Sequence, residues 1–344
     1  MPDAKPINLA LQGGGAHGAY AWGVCDRLLE AGQVNLHAIT ATSAGAMNAA
    51  ALACGYAEGG EDGARSALER FWREVSRAKG LFGIPEVPFK EAIPFYEAAE
   101  EWLARATMEL AAASVSPYQF NPLNLNPLRD VLARVVDFDR FRGPQGIKLF
   151  VSATNVRSGK VKVFTGEAVT IDAVLASACL PQLFQAVEIG GEHYWDGGYM
   201  GNPSLWPLFY ETEVEDLLVV HINPIERDEL PITAPQIDNR INEITFNAAL
   251  LKEMRAVAFV QKLLREGWVR EEKASALSDI RFHAIRADRA LADLSLQSKY
   301  DTDWDFLCAL RDRGRATAQD WLDAHWGAVG TRSTVDLRAE FLDL

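Results

Sequence analysis

Apolar residues occur along this chain in two kinds of run. Short apolar-rich runs, Ile7 to Leu11 and Leu36 to Thr42, each end in small residues and pass into stretches where apolar positions recur every three to four residues. The first such stretch, from about His17 to Ala31, stops at Gly32; the second, from Ser43 to Cys54, stops at Gly55. Strand, turn and helix twice in succession predict an α/β fold with a largely parallel sheet. Sheet signals return at Lys148 to Ala153 and Val161 to Phe164, a hairpin around Ser158-Gly159. A helix is then expected from Ile171 to Cys179, short strands at Val187 to Ile189 and His193 to Trp195, a buried strand over Leu217 to Ile222, and a last strand over Ile280 to Ile285.

Helical spacing dominates the rest. Residues 61–134 predict a mainly helical insertion, with Phe95, Ala99, Trp102, Leu103, Ala106 and Leu110 on one face. Within it, LFGIPEVPFKEAIPF is broken by Pro85 and Pro88 and predicts an apolar loop, 81–89, that packs down or closes over a substrate as a lid. From Gln236 to Glu266, the spacing of Ile241, Ile244, Ala248, Leu251, Met254 and Ala258 predicts a long helix with that stripe as its buried face, and Trp304 to Trp326 a last helix. No repeat or low-complexity linker interrupts the pattern. The expectation is one domain over residues 5–330, with the helical insertion at 61–134 and C-terminal helices at 236–326.

Composition narrows the function. With 49% hydrophobic and 24% charged residues, the 344-residue chain is globular rather than disordered. A formal charge of −13 argues against a nucleic-acid partner, because neutralising phosphates requires clustered Lys and Arg. Cys25, Cys54, Cys179 and Cys308 are far apart and have no metal or redox spacing, and the histidines show no metal pattern. No secretory signal is visible in MPDAKPINLALQGGG, and the uncharged Ala38–Ala57 stretch is too rich in Ala, Gly and Ser to read as a membrane span. A cytoplasmic protein without metal or other cofactor is expected.

Three short stretches carry candidate chemistry. Gly13-Gly14-Gly15, between the first strand and helix, offers uncovered backbone N–H groups at a helix mouth, an anion site for phosphate or for the oxyanion of acyl transfer. Gly13, Gly15 and Gly18 formally match GxGxxG, but the next strand runs into Thr42-Ser43 instead of an acidic residue, and the GK[ST] of a P-loop is absent. Ala41-Thr42-Ser43-Ala44-Gly45 compares with the nucleophile elbow GxSxG, Ala41 replacing the first glycine and Gly45 keeping the second. Taken alone, Ser43 is either an exposed nucleophile or a helix N-cap. Asp196, followed by Gly197-Gly198, is either a base for a serine or part of an ordinary turn.

Together, GGGxxG, the serine elbow one βα unit later and the distant Asp-Gly-Gly resemble the patatin-like phospholipase family. The resemblance is firmest over residues 6–55 and 147–223 and looser over 61–134. It implies a three-layer α/β/α fold, no cofactor, and a Ser–Asp dyad: Ser43 as nucleophile, Asp196 as base, and N–H groups around Gly13, Gly14 and Gly15 as the oxyanion hole. The substrate implied is a lipid acyl ester, phospholipid or other long-chain ester, with transient contact at a lipid surface; intracellular polyhydroxyalkanoate is an alternative. His17 stands where the family often has Lys or Arg, so any help it gives an oxyanion would depend on pH. His221, ending an apolar strand, supplies the alternative order Ser43, Asp196, His221 of a hydrolase triad, with the dyad favoured and His221 read as a hydrogen-bonded core residue. A non-catalytic acyl-binding protein, its elbow distorted by Ala41, and a nucleotide-binding protein are the alternatives of other classes.

Overall fold

The computed structural model describes residues 4–78, 116–142, 146–269 and 280–341. The expected Phe95–Leu110 face and the 81–89 loop lie outside the described residues.

Among the described residues eight strands form one sheet: β1 (Lys5–Leu11), β2 (Val34–Ala41), β3 (Lys148–Asn155), β4 (Val161–Thr165), β5 (Val187–Ile189), β6 (Glu192–Asp196), β7 (Asp216–His221) and β8 (Arg281–Arg286). The order β5-β6-β3-β2-β1-β7-β8, with β4 also on β3, makes the run from β3 to β8 parallel, while β4, β5 and β6 enter antiparallel.

Alternate residues of the central strands face opposite ways, which is why the sheet needs helices on both sides. Leu9 and Leu11 on β1 and Leu218 and Val220 on β7 join one apolar cluster; Ala10, Leu217 and Val219 join the other. The first cluster takes α1 (Gly18–Glu30), α2 (Ala44–Arg77), α4 (Pro127–Val135), α5 (Ile171–Ser177) and α8 (Trp304–His325). The second takes α6 (Trp206–Glu211), α7 (Ala234–Arg265) and Leu337 of α9 (Leu337–Phe341). The short α3 (Pro117–Phe120) precedes α4. This is the expected α/β/α architecture.

Three details depart from the sequence reading. Gly55 does not end α2: the backbone leaves helical geometry only at Gly59 and Gly60, and the two limbs cross so closely that a methyl on Gly55 would meet the Gly63 carbonyl oxygen at 2.4 Å. On α7, Leu250, Met254, Val257 and Ala258 are buried as the period requires, but Ile241 and Ile244 are more than half exposed. There the inward positions are polar: Glu243 and Asn247 are buried, held by Arg227 and Arg240 and by the backbone of Asn223 and Pro224. Beyond residue 330 the chain still packs, Thr334 N–H donating to the Phe282 carbonyl at 3.0 Å.

Candidate active site

β1 and β2 are parallel neighbours with Leu11 opposite Ala41, so the glycine loop and the Ser43 turn leave the sheet side by side. They touch: a methyl on Gly13 would lie 2.5 Å from the Ser43 Cβ. The register of β3 brings in the third stretch. β4 covers one edge of β3 from Phe150 to Thr154, so β2 and β6 share the other edge, β2 ending opposite Val151 and the antiparallel β6 ending opposite Ala153. Asp196, the partner of Ala153, therefore sits just past the end of β2, where the chain turns through Ser43.

Ser43 opens α2 with φ 55° and ψ −125°, one of two non-glycine residues with positive φ among those described. Such a conformation costs on the order of 1–3 kcal/mol and persists only where the surroundings hold it. Ser43 N–H donates to Ser177 Oγ at 2.8 Å, its carbonyl accepts from Met47 N–H at 3.1 Å, and Thr42 Oγ1 donates to the Gly201 carbonyl at 2.6 Å. The Ser43 side chain makes no capping hydrogen bond, which removes the N-cap reading. Ala41 is fully buried in the core beside this turn, so its methyl is accommodated and the elbow forms without the first glycine.

Asp196 is completely buried. Its Oδ1 accepts from Gly198 N–H at 2.7 Å, while Oδ2 has no hydrogen-bond partner among the described residues. Burial raises the carboxyl to a pKa of about 7, against the smaller opposing pull of Gly198 N–H and of the Ser43 hydroxyl, which stands near Asp196 without completing a hydrogen bond to Oδ2. At neutral pH the carboxyl is thus poised between acid and base.

The glycine loop divides its labour. Gly13 N–H is taken by Asn202 Oδ1 at 2.7 Å and its carbonyl accepts from Asn223 Nδ2 at 2.8 Å. Gly13 is therefore a clamp and not an oxyanion donor. Gly14 and Gly15 line the cleft beside Ser43, and no protein acceptor takes either N–H among the described residues. Gly15 has φ +59°, and a methyl there would meet the Lys299 carbonyl oxygen at 2.4 Å. Gly18 and Gly45 are packing positions, where a methyl would meet Ala44 Cβ at 2.7 Å and the Leu11 carbonyl oxygen at 2.4 Å; Gly197 is pressed on the Ser152 carbonyl and Gly198 on the Phe246 ring.

Both flagged histidines differ from expectation. His17 is buried, with Nε2 2.8 Å from Ser298 Oγ, and burial followed by the nearby Lys299 and Arg227 charges lowers its pKa to about 3. It is neutral at any working pH and carries no switchable charge. His221 is buried with neither ring nitrogen hydrogen-bonded, and burial, with Arg286 adding to it, lowers its pKa to about 3. Among the described residues it bonds neither Asp196 nor any core group, so neither the triad order nor the hydrogen-bonded core reading is realised there.

The cleft measures about 820 Å³, open to solvent. Met47, Phe71, Trp72, Val75, Leu128 and Phe184 supply apolar lining; Asn242, Lys299, Tyr300 and Thr302 add polar groups around Phe246 and Leu296. Ser177, Asn202, Asn223 and Lys299 were not among the site residues expected from sequence. Asn202 alone had a visible signal, in a Gly-Asn-Pro turn just after Asp-Gly-Gly.

Comparison with known proteins settles the kinship. A family model described as patatin-like phospholipase matches residues 9–209, which span the glycine loop, Ser43 and Asp196. The chain belongs to the patatin-like phospholipase family. It therefore shares with that family a general lipid acyl hydrolase character. Among solved structures, the crystal structure of VipD from Legionella pneumophila is similar, at 16% identity over 94% of this chain and 67% of that one, with a TM-score of 0.43. No curated protein matches significantly. No helix among the described residues of this patatin-like protein is long and apolar enough to cross a membrane, and no group of His, Cys, Asp or Glu there could hold a metal ion.

Proposed function

We propose that this protein is a serine acyl hydrolase that cleaves lipid acyl esters through a Ser43–Asp196 dyad. The observation that carries the proposal is the pairing, at one cleft, of a strained and uncapped Ser43 with a buried Asp196 that keeps one carboxylate oxygen free. Asp196 takes the Ser43 proton as Oγ attacks the acyl carbonyl carbon. The resulting oxyanion lies against the N–H groups of Gly14 and Gly15. Asp196 then returns the proton to the departing alkoxide, the alcohol leaves, and a water deprotonated by Asp196 releases the acid and restores Ser43. A base with a pKa near the operating pH suits both directions of transfer.

The apolar lining of the cleft supports an acyl chain as the group transferred to Ser43. Residues 5–330 are taken as one catalytic domain, since β7 and β8, beyond the family match, complete the same sheet as β1.

The test is hydrolysis of a p-nitrophenyl acyl ester series. Ser43→Ala should lower kcat by about 10³-fold or more, in the range seen when a nucleophile is removed. Retention of a tenth of wild-type turnover by Ser43→Ala would overturn the assignment.

A further inference from the structure

Among the described residues that line this cleft Lys299 is the cation, and it has no carboxylate partner there. Its ammonium donates to Asn223 Oδ1 at 2.8 Å and to Asn242 Oδ1 at 2.7 Å, both neutral amides. An ammonium has three N–H donors, so one remains without an acceptor among the described residues, the ammonium lying 5.9 Å from the centroid of the Phe246 ring. Among the described residues no carboxylate lies within ion-pair distance of it; the neighbouring Glu243 is engaged by Arg227 at 2.5 Å and Arg240 at 3.1 Å. Removing a charge from water without an opposite charge is costly, and in a chain of net charge −13 acidic partners are plentiful. A cation kept this way in the cleft that Ser43 and Asp196 also line has its counter-charge still to come.

Its position assigns the part of the substrate it would meet. Asn223 joins Lys299 to the glycine loop, donating to the Gly13 carbonyl while accepting from the ammonium, and the Lys299 carbonyl oxygen abuts Gly15. Lys299, Asn242, Tyr300 and Thr302 supply polar groups to a cleft whose remaining lining suits a hydrocarbon chain. If the acyl chain takes the apolar lining, the alcohol portion of the ester faces Lys299.

Building on the hydrolase reading, we propose that Lys299 is the specificity-determining residue of the cleft and selects esters whose alcohol portion carries an anionic group, phosphate or carboxylate. Burial lowers the Lys299 pKa to about 8, which leaves the ammonium protonated at pH 7.

The test measures binding without turnover. In the Ser43→Ala background at pH 7, calorimetry compares monooctanoylglycerol, its 3-phosphate and its 3-hemisuccinate. At least one anionic ligand should bind tenfold or more tighter than the neutral one, and whether phosphate, carboxylate or both do so identifies the group read. Lys299→Met should abolish the preference while leaving affinity for the neutral ligand within threefold. Asn242→Asp, which supplies the ammonium with an internal carboxylate, should abolish it too, and decides the matter if Lys299→Met does not fold. Equal binding of all three ligands with Lys299 in place, a preference that survives Lys299→Met, or equal weakening of neutral and anionic ligands would overturn the proposal. A preserved preference in a protein whose Ser43 is unreactive would remove the hydrolase reading alone and leave the anion site standing.

Discussion

Replacing Asp196 by Asn should make the protein more stable as it destroys activity, by an amount that depends on pH. The carboxyl is fully buried and titrates at about 7 in the fold, against 3.8 as its ordinary value. The folded state therefore holds the proton over a range in which the unfolded chain has lost it. Stability contributed by the protonated form is lost as pH rises from about 4 through 7, the reverse of a salt-bridged aspartate. A rise of that size corresponds to on the order of 4 kcal/mol, of which about 3 kcal/mol develops between pH 5 and 8. For 344 residues, 3 kcal/mol is roughly 4 °C in Tm. Asn can keep the acceptor for Gly198 N–H, and any misfit of its amide at Oδ2 is the same at both pH values. The Tm difference between Asp196→Asn and wild type, followed by circular dichroism, should thus grow by about 4 °C in favour of the variant from pH 5 to pH 8. An unchanged difference would mean that Asp196 is not a buried, proton-holding carboxyl, and the case for it as a poised base would fall.

Other outcomes follow from the same geometry. The kcat/KM of the wild type should climb with pH to a plateau above about 7, as Asp196 loses its proton; a flat profile from pH 5.5 to 8.5 would count against the dyad. His221→Leu removes a buried ring with neither nitrogen paired and should raise stability by about 1–3 kcal/mol in urea melts, with activity within threefold of wild type; a hundredfold loss of activity would revive the triad. Ala41→Gly should leave turnover within threefold and cost roughly 1 kcal/mol of stability, since the elbow already forms around the methyl; a large gain in turnover would show that Ala41 impairs the site. Asn202→Ala orphans the Gly13 N–H and should cost about 1–3 kcal/mol, checked in the same urea melts.

What the sequence made legible was local. Period and punctuation located the strands and most helices, because those patterns record which faces are buried. The meeting of the loop, the elbow and Asp-Gly-Gly could be named by their resemblance to a family, yet its cause is long-range: β6 takes over the edge of β3 where β2 ends, and no local pattern encodes the pairing of Ala153 with Asp196. The same limit hid the fate of Gly13, whose N–H is claimed by a side chain 189 positions away. It hid Lys299 as well, a lone lysine in a turn with no motif around it. Ile241 and Ile244 show the opposite failure: their period is helical and the helix exists, but Glu243 and Asn247 hold the inward face there through hydrogen bonds. A strict period locates a helix more surely than it tells which stripe is buried.

Catalysis by the dyad requires Ser43 to be an activated nucleophile, and fluorophosphonate labelling of the folded protein, mapped by peptide mass spectrometry, addresses that directly. A single adduct is expected on the peptide containing Ser43, absent in Ser43→Ala and slowed at least a hundredfold in Asp196→Asn. A folded wild-type protein that stays unlabelled, or that carries its adduct on another residue, would contradict the account.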